Sequence, residues 1–146
     1  MNVKELTIGS FVRTRRLKTI KVESISTKRQ HRKLGYHTDD DHTHIKYVRI
    51  DQVYPIPLDA RMLQTNGWWH LEGLGECTTG WGTKHGDYTI TYISYAGLPV
   101  LTIEQDNLME YRTCVTLVDE VYNVHNLLNA YRLCGLNELA DKFKIE

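Results

Sequence analysis

Apolar residues recur at every second position through much of this chain and at every third or fourth only near its end. The stretches KELTIGSFVRTRR and TIKVESIS both alternate apolar and polar side chains, the pattern of a strand with one buried and one solvated face. Such strands cannot bury their apolar faces singly, so several must pair and curl over a shared core. A turn at Gly9 would feed the first strand, placing Phe11 and Arg13 on one side and Val12 and Thr14 on the other.

The following segment, KRQHRKLGYHTDDDHTHIKYVRIDQV, allows a register to be counted out. A four-residue loop at Asp39, Asp40, Asp41 and His42 would set Thr38 against Thr43, His37 against His44, Tyr36 against Ile45 and Leu34 against Tyr47. Leu34, Tyr36, Ile45 and Tyr47 would then share the core face. Beyond Tyr47 the apolar parity passes to Val48 and Ile50, which predicts a bulge near Val48. Pro55 and Pro57 cannot donate to a ladder, so Tyr54-Pro55-Ile56-Pro57 reads as an extended exit. These short strands predict an SH3-like curled sheet or small barrel.

Asp59 is suited to cap a short helix from Ala60 to Asn66, with Met62 and Leu63 inward and Gly67 in the left-handed position after it. The run WWHLEGLGECTTGWGTKHGD, residues 68–87, has glycines at 73, 75, 80, 82 and 86 and reads as a flexible or sharply turning loop. YTITYIS (88–94) and LPVLTIE (98–104) form a hairpin pattern about Ala96-Gly97. Leu117, Val121, Val124, Leu128 and Tyr131 fall at helical spacing, predicting one C-terminal helix over about 113–134 that closes the core. Gly135 would end it, and NELADKFKIE would add a short final helix. The fold class is therefore α+β and mostly β. It comprises an N-terminal SH3-like curled sheet, a short central helix, a β-hairpin and a C-terminal helix packed on the sheet. Residues 1–146 make a single domain with a β subregion (1–58) and an α+β subregion (59–146).

Lys+Arg and Asp+Glu both number 18, but they are segregated. Residues 1–36 hold 10 Lys+Arg against 2 Asp+Glu, leaving 8 against 16 for residues 37–146. Arg13, Arg15, Arg16, Lys18, Lys21, Lys28, Arg29, Arg32 and Lys33 would cluster on adjacent strands and loops, where they can track a phosphate backbone. Phe11, His31 and Tyr36 would offer stacking surfaces beside them. The plainer account is a solvated basic face, balanced by the acidic part of the same chain or by a neighbouring subunit in a homo-oligomer.

HTDDDHTH, residues 37–44, concentrates His37, His42 and His44 among aspartates. A metal reading needs two or three nitrogens and a carboxylate within about 2.0–2.2 Å of one ion. The counted register argues instead for solvent-facing histidines around an acidic turn. Cys77, between His70 and His85, has the residue types of a nucleophile and base but no local signature. Gly73-Leu74-Gly75 lacks the following helix that a phosphate loop uses. Trp68, Trp69, Trp81 and Tyr88 can clamp a base or anchor a protein partner; equally, they can plug the end of a sheet. Cys77, Cys114 and Cys134 are odd in number and contain no CxxC, which fits a reducing cytoplasm and neither a disulfide framework nor a four-ligand zinc site. No apolar run approaches the ~20 residues of a membrane span, and the first residues lack the order of a secretory signal.

Three pieces carry a resemblance: ELTIGSFV at the start, VYPIPL with a short helix ending in NGW, and VHNLLNAYRLCG followed by NEL. Together they resemble an uncharacterised family of small proteins of Bacteroidetes phages and prophages, in which an IGxxV strand, a PIPL element and a VHxLxNxY helix recur. The likeness touches Ile8, Gly9, Val12, Pro55, Ile56, Pro57, Leu58, Val124, His125, Leu127, Asn129 and Tyr131, and leaves out HTDDDHTH and the Gly/Trp run. It implies a setting, a phage or prophage accessory protein in the cytoplasm of a bacterial host, and no activity or cofactor. The expected function is non-enzymatic binding of an acidic partner such as nucleic acid through Arg13, Arg15, Arg16, Lys18, Arg29, Arg32 and Lys33. One alternative is a counter-defence inhibitor that binds a host immune protein or a nucleotide signal through Trp68, Trp69, Trp81 and Tyr88. Another is a metal-dependent hydrolase built on His37, His42 and His44.

Overall fold

The chain divides into two compact units, residues 1–57 with 123–129 and residues 58–122 with 130–146. The computed structural model describes residues 6–26, 32–38, 41–107 and 112–145, with side chains described at all of these except 41, 42, 106, 107, 112–116 and 119.

The first unit is built on period-two strands: β1 (Phe11–Thr14), β2 (Thr19–Lys21), β3 (Ser24–Ser26), β4 (Lys33–Thr38), β5 (Asp41–Arg49) and β6 (Val53–Pro55). They form two antiparallel sheets, ordered β2-β1-β6 and β3-β4-β5. Their inward residues, Leu6, Val12, Ile20, Val22, Leu34 and Val53, make one core, with Ile25, Tyr36, Val48 and Ile50 packed against it. Each fully buried aliphatic side chain contributes about 1.5–3 kcal/mol. The ladders of the β3-β4-β5 sheet continue beyond its strand ends, Glu23 N–H donating to Gly35 O at 2.8 Å and Ile50 N–H to Arg32 O at 3.1 Å. The result is a curled sheet of the SH3-like kind that does not close into a barrel. Pro55 lies opposite Val12 on β6, an edge strand, where its missing N–H leaves no ladder bond unmade.

The β4–β5 register differs from the counted one. Leu34 pairs with Val48, Gly35 with Tyr47 and Tyr36 with Lys46, then the register shifts and Thr38 pairs with Asp41. Asp41, expected in the loop, thus pairs in β5, and residues 42–45 stand opposite His37 alone. The irregularity sits at His37 rather than near Val48, whose parity is the true core parity. Ile45 and Tyr47, expected inside, are 41% and 57% exposed. Gly35 explains how they lie there. A Cβ at this position would meet Ser24 Oγ, come within 2.7 Å of Ile45 Cγ2 and within 3.1 Å of Tyr47 Cε1, so the missing side chain makes room for theirs on the outer face.

The second unit holds the antiparallel sheet β11-β10-β9-β8-β7: β7 (Trp69–His70), β8 (Thr78–His85), β9 (Tyr88–Tyr95), β10 (Leu98–Asn107) and β11 (Arg112–Asp119). Helix α1 (Ala60–Thr65) precedes it, with the Asp59 carboxylate accepting from Met62 N–H at 2.8 Å and Met62 and Leu63 buried. Ala96 and Gly97, at φ +48° and +82°, make the β9–β10 turn, the positive-φ pair that matches hairpin twist. Helix α2 (Val124–Leu133) begins in the first unit and ends in the second, which also contains α3 (Asn137–Lys142).

Two expectations are corrected here. Residues 68–87 are not one loop: only 71–77 and the turn at 86–87 are irregular, and β7 and β8 form because mid-strand glycines receive side chains from the segment before them. A Cβ on Gly80 would lie 2.5 Å from Leu74 Cδ1 and 3.2 Å from Leu71 Cδ1, and one on Gly82 would lie 3.0 Å from Trp69 Nε1. The predicted helix over 113–134 starts only at Val124, and β11 pairs with β10 from Arg112 to Asp119. Leu117 matches the helical spacing by coincidence. It is 67% exposed, and Glu120 at φ +60° turns the chain before Val121. The β-branched stretch Thr113 to Val118 suits a strand.

The three stretches that carry the family resemblance meet within the first unit. Val124 N–H donates to Ile56 O at 2.9 Å, Pro57 bridges Asn123, and Thr7 Oγ1 donates to Asn129 Oδ1 at 2.8 Å.

Candidate nucleic-acid interface

Cross-strand pairing fixes which residues share the outer face of the β2-β1-β6 sheet. Phe11 stands opposite Lys21, and Arg13 stands between Thr19 on β2 and Tyr54 on β6. Directly opposed residues point the same way. The intervening Val12 pairs with Ile20 and Pro55 on the buried side. Two aromatic rings and two cations thus lie side by side, with the Lys21 ammonium 6.0 Å from the Phe11 ring centroid and Tyr54 50% exposed. Arg13 Nε and Thr19 Oγ1 are shielded from solvent and have no hydrogen-bond partner among the described residues.

The hairpin joining β1 to β2 extends this face. Thr14 N–H donates to Lys18 O at 2.9 Å and Leu17 N–H to Thr14 O at 2.9 Å, so Arg15, Arg16 and Leu17 form a three-residue tip. Such loops place their last residue in the left-handed region, a position usually given to glycine. Here Leu17 holds it at φ +60° and is 76% exposed. A bulky residue in that conformation costs about 1–2 kcal/mol, and strain of this kind concentrates at functional sites. Arg15, Arg16 and Lys18 are exposed around it.

Residues 6–22 contain no Asp or Glu, and among the described residues none forms an ion pair with Arg13, Arg15, Arg16 or Lys21. Arg49 is different, bound to Asp51 through Nη2–Oδ2 at 2.7 Å and Nε–Oδ1 at 3.1 Å. Arg32 and Lys33 are exposed at the start of β4, with Lys33 opposite Arg49. Arg29, Lys28 and His31 lie outside the described residues.

The remaining candidates fall elsewhere. His37 sits at the β4–β5 irregularity, so the ladder pair His37–His44 on which the metal reading rests is not formed. His44 Nδ1 is 2.7 Å from Thr43 Oγ1, and the His42 side chain lies outside the described ones. Among the described residues no three His, Cys, Asp or Glu side chains are grouped to hold a metal. Cys77 immediately precedes the eight-residue β8 and His85 ends it, roughly 25 Å apart at strand rise, which excludes their acting as nucleophile and base. Cys77 and Cys134 are free thiols. The tryptophans split: Trp68 and Trp81 are buried, the latter edge-on to His70 at 5.2 Å, while Trp69 is 49% exposed over Gly82. Tyr88 is half-buried at the start of β9. No helix among the described residues is long and apolar enough to cross a membrane.

Sequence reasoning found the cations and Phe11 but missed Tyr54. Its alternation with Val53 was the available signal, masked by the flanking proline. Comparison with family models, curated proteins and solved structures finds no match, so function rests on these residues themselves.

Proposed function

We propose that this chain is a non-enzymatic binding protein that holds single-stranded nucleic acid on the outer face of the β2-β1-β6 sheet, as an accessory protein of a phage or prophage. The observation that carries the reading is the register that sets Phe11, Arg13, Lys21 and Tyr54 side by side. Exposed rings on a sheet stack on unpaired bases, and cations between them follow the backbone without reading sequence. A duplex hides its base faces, so the rings favour a single strand. The exposed tip residues Arg15, Arg16 and Lys18 lengthen the track for phosphate contacts.

Titration of the protein into a labelled single-stranded oligonucleotide, followed by anisotropy, tests this. Single strands of mixed sequence should bind more tightly than the corresponding duplex. Tyr54→Ala should weaken binding by about 1–3 kcal/mol, the value of one base stack, with little effect on melting because the ring is half exposed. Equal affinity for duplex and single strand, or indifference to Tyr54→Ala, would remove the stacking role. Capture of an acidic protein in place of any oligonucleotide would replace nucleic acid as the partner.

A further inference from the structure

The second unit contains a cleft of about 340 Å³ that combines an aromatic floor with a basic rim. Its volume lies within the range of small-molecule sites, about 300–1,000 Å³. Trp68, Tyr131 and Phe143, all buried, supply the rings; His85, Lys142 and Lys144 stand among the polar lining residues.

Tyr131 is 2% exposed, and its hydroxyl oxygen is paired with the Trp68 side chain. Burial pushes the phenol well above its usual range, only partly offset by that hydrogen bond, so it stays a neutral group. Because the indole N–H can only donate, the phenol oxygen accepts in that bond, and the phenol O–H is of the type to donate to a group in the cleft.

The rim is held in place rather than loose. Asn66 Oδ1 accepts from Lys144 N–H at 2.7 Å, while Asn66 Nδ2 donates to Lys144 O at 2.6 Å and to Met62 O at 2.8 Å. The end of α1 thereby ties down the segment after α3 beside the cleft. Lys142 Nζ is 3.2 Å from Glu138 Oε2, but both side chains are exposed, at 76% and 88%. Such a pair is worth little and gives way readily to a competing anion.

We infer that this cleft binds a small molecule joining a planar ring to one anionic group, a phosphate or a carboxylate. The ring occupies the Trp68, Tyr131 and Phe143 floor and accepts a hydrogen bond from the Tyr131 hydroxyl. The anionic group lies at Lys142 and Lys144, with His85 beside it. This site is separate in its residues from the β2-β1-β6 face, and its test stands apart from that reading.

Isothermal titration with adenosine monophosphate and with pyridine-3-carboxylate, whose ring nitrogen can accept a hydrogen bond, distinguishes phosphate from carboxylate, with adenosine as the uncharged control. At least one anionic probe should saturate at submillimolar concentration, and adenosine should bind at least roughly tenfold more weakly. Substituting Lys142→Ala and Lys144→Ala together should cost roughly tenfold for a lost charge-assisted contact; both are surface positions, so the fold is retained. Glu138→Gln should strengthen binding by releasing Lys142. Tyr131→Phe should weaken it while keeping the ring. The inference is overturned if neither anionic probe saturates on folded protein at millimolar concentration, or if the double lysine variant binds like the parent. Charge reversal at Arg15 and Arg16 should leave this binding unchanged.

Discussion

Replacing Arg15 and Arg16 together with glutamate is expected to weaken binding of single-stranded nucleic acid about a hundredfold while the protein remains folded. Arg13, Arg15, Arg16, Lys18 and Lys21 give the face and its hairpin tip five cations, and residues 6–22 contain no acidic residue to offset them. Double reversal leaves three cations against two anions. Counterion release at physiological salt is worth about 0.8 kcal/mol per neutralised phosphate, from a slope of about 0.7 per neutralised phosphate on single strands. Removing two such phosphate interactions and adding two repulsions then amounts to about 3 kcal/mol, or about a hundredfold in affinity. Both side chains are exposed in a turn, where substitutions shift stability by only about 0.5 kcal/mol. Anisotropy titration and a thermal melt on the same preparation separate the two effects. A hundredfold loss with an unshifted melt is the expected pair; retained affinity would show that the hairpin tip does not touch the ligand.

The second large effect concerns the core that supports this face. Leu34→Ala should destabilise the protein by about 2–5 kcal/mol, since it removes a fully buried side chain from the cluster formed with Val12, Ile20 and Val53. Tyr47 lies one position before Val48 and is 57% exposed, so Tyr47→Ala should cost under about 1 kcal/mol. The counted register would have made Leu34 and Tyr47 a buried pair with comparable costs. Chemical denaturation of both variants therefore tests the β4–β5 pairing directly: similar losses would restore the counted register and contradict the observed one.

That contrast shows what was legible in the sequence. Where a strand has one buried face and an unambiguous start, as β1 does after Gly9, alternation alone assigned Val12 inward and Phe11 and Arg13 outward. The β4–β5 hairpin departs from the counted register because loop length depends on backbone geometry, which composition does not specify. Val48 and Ile50 carried the correct parity, and Gly35 marked where the outer side chains cross the sheet. Glycines in β8 suggested flexibility because a glycine's effect depends on what fills the space beside it. The fillers, Trp69, Leu71 and Leu74, precede them by only 6 to 13 positions, yet nothing in a linear pattern pairs them with Gly80 and Gly82. Helical spacing from Leu117 onward extended one true helix backwards over a strand, although the β-branched residues there favoured the strand.

The site divides in the same manner. Its charge was legible as composition, because clustering of like charge within a few strands survives any plausible pairing. Its aromatic half required the register, since Tyr54 joins Arg13 only through the β1–β6 ladder. The cleft of the second unit was not legible, because Trp68, His85, Tyr131 and Phe143 come from four separate segments.

The central claim, that the β2-β1-β6 face binds a nucleic-acid backbone through its cations, is tested most directly by measuring the affinity of the unmodified protein for a single-stranded oligonucleotide across a salt series. Three to five neutralised phosphates predict that the logarithm of the association constant falls against the logarithm of salt concentration with a slope of about −2 to −3.5. A slope near zero, or no binding at low salt, would contradict it.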